Sequence, residues 1–82
     1  MGFPKTFHVT YLHESGEVAR VDVFTRWPER VVLANNTLTL FWVSPIVIYT
    51  VGGEEVDNFS SSLTLKEAEV LNFNELLRMF LR

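Results

Sequence analysis

The sequence predicts an α+β domain: an antiparallel β-meander of about five strands with a C-terminal α-helix packed on one face. Three observations carry that expectation. Turn-forming groups at Glu14-Ser15-Gly16, Asn35-Asn36, Ser44-Pro45 and Gly52-Gly53 cut residues 5–59 into short apolar runs of strand length. Helical periodicity is confined to residues 65–81, so strands precede the helix instead of alternating with it. Residues 38–51 are apolar almost without interruption, a pattern that asks for cover on both faces of a strand. A small SH3-like β-barrel plus helix is the alternative, because a sheet that curls shut supplies that cover itself.

At 82 residues, the chain (1–82) reads as a single small α+β domain with one thin core. It contains no cysteine, which removes disulfides and thiolate zinc sites from consideration. Its seven Lys and Arg face ten acids, for a formal net charge of −3. Phosphate neutralisation needs clustered cations, so nucleic acid is disfavoured as a partner. No apolar run reaches the ~18 residues of a membrane span. The first residues lack a basic-then-apolar secretion signal, and with the missing cysteines this gives the expectation of a cytoplasmic protein.

The first hairpin turns at Glu14-Ser15-Gly16, with Gly16 suited to the left-handed position of a three-residue loop. That loop predicts the pairs His13–Glu17, Leu12–Val18, Tyr11–Ala19, Thr10–Arg20, Val9–Val21, His8–Asp22 and Phe7–Val23. A two-residue Ser15-Gly16 loop would instead set Val9 against Asp22 and Tyr11 against Arg20, mixing polar and apolar residues on one face. The second hairpin turns at Asn35-Asn36, residues that tolerate positive φ and suit a type I′ turn. It predicts Leu33–Leu38 and Val31–Leu40 inward, with Val32–Thr39 and Arg30–Phe41 outward. A tight turn at Ser44-Pro45 would then pair Trp42–Val47, Leu40–Tyr49 and Phe41–Ile48, and Val56–Phe59 would return as a weak edge strand. Thr64 and Glu67 have capping-box spacing, and Val70, Phe73, Leu76, Leu77, Phe80 and Leu81 form a helical stripe. Asn72 and Asn74 interrupt the stripe, so a break there with a fresh cap before Glu75 competes with one continuous helix.

On this plan Phe7, Val9, Tyr11, Val21, Val23, Val31, Leu33, Leu38, Leu40, Trp42 and Tyr49 face the helix. Phe41, Val43, Ile46 and Ile48, joined by Val32 and Phe59, form an apolar patch on the opposite face. Such a patch is read as a homodimer or protein-partner interface, unless the sheet closes and takes it into the core. Arg26, Trp27 and Arg30 place cations beside an aromatic and form a secondary candidate partner site; Trp27 capping the open end of the core is the favoured reading. Arg20 with these three residues could make a nucleic-acid-binding barrel, and His8 with Asp22 and Arg20 could line a small-molecule or enzyme pocket. His8 and His13 differ by an odd number and lie on opposite strand faces, so no metal site is expected, and no cofactor. No nucleophile elbow or phosphate-cradling glycine loop is present. The function expected is therefore a non-catalytic protein–protein interaction module, acting as adaptor, inhibitor or subunit and associating with itself through the apolar sheet face.

Overall fold

A computed structural model describes residues 5–50, 55–58 and 61–81. It has the α+β arrangement, with antiparallel strands followed by a C-terminal helix. The strands are β1 (Phe7–Leu12), β2 (Val18–Phe24), β3 (Arg30–Ala34), β4 (Thr37–Phe41), β5 (Ile46–Thr50), β6 (Glu55–Asn58) and β7 (Ser62–Lys66). A 3-10 turn at Glu67–Glu69 leads to helix α1 (Phe73–Phe80). The strands form two sheets, one in the order β1-β2-β5-β6 and one in the order β3-β4-β7, with no closed barrel among the described residues.

The second hairpin follows its turn. Asn35 and Asn36 both have positive φ (51° and 59°), and the pairs run from Ala34–Thr37 to Arg30–Phe41 without a slip. Past Phe41 the meander stops. Residues 42–45 carry the chain to the other sheet, so β5 pairs with β2 and β6, while β4 takes β7 as its second neighbour. The expected pairs of β4 with β5 do not form. This reverses β5 relative to expectation: Ile46 and Ile48 point into the core (3% and 4% exposed), and Val47 and Tyr49 point out.

The first hairpin keeps its three-residue loop. Gly16 sits at φ 91°, and the His13 N–H donates to the Glu17 carbonyl at 2.8 Å. Leu12 pairs with Val18 as expected, but Ala19 then bulges and Tyr11 meets Arg20. Beyond that bulge every pair is displaced by one: Thr10–Val21, Val9–Asp22, His8–Val23 and Phe7–Phe24. The exchange brings Phe24 inside in place of Val23. Its ring stacks on Phe7 at 4.8 Å and on Trp42 at 5.8 Å, a larger apolar burial than valine offers. It also carries Asp22 inside and turns Val21 and Val23 outward.

One core joins both sheets: Phe7, Val9, Phe24, Ile46 and Ile48 from the first meet Leu38, Leu40 and Leu65 from the second, with Trp42, Val70, Phe73 and Leu76. The C-terminal stripe is not one helix over 65–81: it breaks at Asn72, the alternative its asparagines offered. Residues 65 and 66, expected to begin the helix after a Thr64 cap, lie in strand β7, so Thr64 caps nothing; α1 begins after Asn72. The Asn72 side chain makes no helix cap. Its Oδ1 accepts the Thr10 N–H at 3.1 Å and its Nδ2 donates to the His8 carbonyl at 2.9 Å, while the Leu71 N–H donates to the Thr10 carbonyl at 2.8 Å. A carboxamide thus occupies the free edge of β1 as a neighbouring strand's peptide group would.

Candidate interaction surface

The expected apolar patch does not lie on one surface. Val32 and Phe41 project from the outer face of β3 and β4, as read from their register. Val43 lies in the connector and is 75% exposed, but Ile46 and Ile48 are in the core. The correction follows from β5 leaving β4: once Ile48 pairs with Phe24, it shares the inward face of Phe24. Phe59 lies outside the described residues. On the outer sheet face, Arg30 holds its guanidinium 4.4 Å above the Phe41 ring, so that aromatic is partly covered by a cation of its own strand pair.

The outer face of β1, β2 and β5 carries a different apolar surface. His8, Val23 and Tyr49 form one row across it, Thr10 and Val21 the next, and Val47 projects from the same side of β5. Val47 and Tyr49 are exposed, and Val21 and Val23 are half-buried. Four of these residues were expected inside (Val21, Val23, Val47 and Tyr49), and it is the Ala19 bulge and the reassigned β5 that expose them. A two-sided apolar strand pair therefore exists, with its inner and outer residues exchanged.

The residues of the secondary site point to separate tasks. Trp27 folds back onto the core, with its ring 5.7 Å from Phe7 and edge-on to Phe80 at 5.4 Å. Arg26 donates to the Ser44 hydroxyl at 3.0 Å and to the Pro45 carbonyl at 3.4 Å, and its own carbonyl accepts the Trp42 indole N–H at 3.0 Å. This pins the 42–45 crossover to the end of β2. Arg30 serves Phe41 and Arg20 serves Asp22, so the arginines are engaged at different places.

His8 and Asp22, offered together as pocket residues, fall on opposite faces because His8 pairs with Val23. Asp22 instead joins Arg20 and Tyr11. It is 1% exposed, its Oδ2 accepts the Arg20 Nε–H at 3.1 Å, and its Oδ1 has no hydrogen-bond partner among the described residues. Arg20 also lies 4.6 Å above the Tyr11 ring. Burial raises the Asp22 carboxyl above its ordinary value, against the opposing pull of Arg20. Burial likewise raises the Tyr11 hydroxyl, helped by Asp22 and opposed by Arg20. The i, i+2 spacing of Arg20 and Asp22 on a strand was the available signal for this cluster. Nothing in the spacing signalled Asn72, whose partners lie more than sixty residues away.

Among the described residues, no group of three or more His, Cys, Asp or Glu side chains is placed to hold a metal ion, and no helix is long and apolar enough to cross a membrane. Compared with protein-family models, curated proteins and solved structures, the chain matches none.

Proposed function

We propose that this chain is a small, non-catalytic protein–protein interaction module of the cytoplasm, an adaptor, inhibitor or subunit, whose contact surface is the outer face of β1, β2 and β5. One observation supports this reading most: Val47 and Tyr49 stand exposed beside Val21 and Val23, on a face that an ordinary half-buried sheet would line with polar residues. Tyr49 adds a rigid aromatic of the kind that anchors interfaces. Within the Tyr11–Arg20–Asp22 cluster one guanidinium serves both the Asp22 carboxyl and the Tyr11 ring, which favours a structural role over proton transfer. Self-association belongs to the same reading.

The test replaces Val47 and Tyr49 separately by Glu and compares immobilised wild type and variants for capture from native lysate. Both variants are expected to keep the wild-type circular dichroism and to lose a protein that wild type retains and that Lys66→Glu, on the other sheet, also retains. Identical capture by all four proteins would remove this face from consideration. Recovery of an oligonucleotide in place of a protein would overturn the class.

A further inference from the structure

The sheets present four lateral edges, and they are not equivalent. The β1 edge is occupied by Leu71 and Asn72. The β6 sequence carries Glu55 and Asp57, and like charges on an edge oppose strand addition. Strand β7 exposes Thr64 and Lys66 and already buries Leu65. Strand β3 has neither device: its middle residues are Val31, Val32 and Leu33, it has no bulge, and no described strand pairs with its outer side. The core is also open there. Leu33 is 46% exposed, although its row-mates Leu38 and Leu65 are 0% and 1% exposed. It borders a hollow of about 450 Å³ between β3 and α1, with Phe73 and Leu77 on the far wall.

We infer that β3 pairs antiparallel with β3 of a second copy about a two-fold axis through Val32, joining two three-stranded sheets into one. The register follows from the turn. In a two-residue hairpin the flanking pair, Ala34–Thr37, exchanges its hydrogen bonds, and so does every second pair after it, which assigns Val32 to β4. The N–H and C=O groups of Val31 and Leu33 therefore point away from β4. A two-fold axis at Val32 sets Val31 against Leu33 of the second copy, and every one of those outward groups finds a partner. Any other centre leaves some of them unpaired. The same register puts valine on valine at the axis, covers Leu33 with an apolar neighbour, and places Arg30 opposite Ala34, so no like charges meet. The inference rests on reading the chain as an interaction module but uses an edge, not the β1-β2-β5 face, and leaves that face free for another protein.

Sedimentation equilibrium at about 100 µM, a concentration that populates complexes of micromolar Kd, tests it with wild type, Leu33→Lys, Leu33→Pro and Tyr49→Glu. Wild type and Tyr49→Glu are expected at twice the 9.5 kDa chain mass, and both Leu33 variants at the single mass with unchanged circular dichroism. Proline is tolerated at this position because the lost N–H faces outward; should it still unfold the chain, the lysine variant decides. In wild type, the Val31 and Leu33 amides should exchange slowly at this concentration and rapidly on dilution. A monomeric wild type, or Leu33→Lys remaining dimeric, overturns the edge pairing while leaving lysate capture by the other face intact. A dimer broken by Tyr49→Glu and not by Leu33→Lys moves self-association to the sheet face.

Discussion

The β3–β4 hairpin holds one register from its Asn35-Asn36 turn to Arg30 and Phe41, whereas the β1–β2 hairpin changes register one pair beyond its own turn. Both turns adopt the backbone their residues call for, with positive φ at Asn35, Asn36 and Gly16. The difference lies beyond the turns. In β3–β4, alternation and turn geometry agree, and the outward residues are mostly polar or held by Arg30. In β1–β2 they agree only as far as Leu12 and Val18; a bulged Ala19 then admits Phe24 to the core and takes Asp22 with it. Local chemistry fixes a strand pair at its turn, and the demand for aromatic packing in the core can still reset it a few residues later.

The strongest way to break this contrast is to remove the packing that resets the register. Phe7→Ala takes away the ring that touches Phe24, Trp27 and Phe80. It should cost about 3–5 kcal/mol in urea unfolding, as large aromatic truncations in cores do. A loss near 1 kcal/mol would mean the stack is not what holds the first hairpin in its displaced register.

A sharper comparison comes from Asn72→Ala, which removes both side-chain hydrogen bonds to β1. The expected loss is about 1–2 kcal/mol, and hydrogen exchange should accelerate at Thr10 while the β3–β4 amides stay protected. Equal acceleration in both hairpins would show that the second depends on the first.

The smallest effect concerns Asp22. Its folded carboxyl titrates above the ordinary 3.8 because burial disfavours the charge. The stability it contributes is complete below that value and is lost as pH rises through the higher folded value. Asp22→Asn stays neutral throughout, so it should melt higher than wild type at pH 7, and the gap should close as pH falls toward the ordinary carboxylate range. A variant less stable at pH 7 would mean that Arg20 outweighs burial.

The α+β class, both hairpin turns and the β3–β4 register were legible because each depends on residues close in sequence, whereas the break at Asn72 was legible only as the alternative to one helix over 65–81. The partition into two sheets was not, since Ser44-Pro45 reads equally as a tight turn or as a crossover, and only the pairing of β5 with β2 distinguishes them. For the candidate surface, the two-sided apolar character of the middle strands was legible but its sides were not. Ile46 and Ile48 were placed outside, and Val23 and Tyr49 inside, because one residue of bulge and one reassigned neighbour each invert a strand. Asp22 was hidden for the same reason, and the β1 edge was hidden because its cover comes from a distant amide.

That distant amide has a consequence for how the protein is made. As the chain leaves the ribosome, β1 and β2 emerge before the group that closes their flank, which is contributed by residue 72. Until that residue follows, the first hairpin carries exposed peptide groups, the condition under which nascent chains stick to one another. Closure by contacts more than sixty residues apart in sequence also makes late, slow completion the natural order of folding.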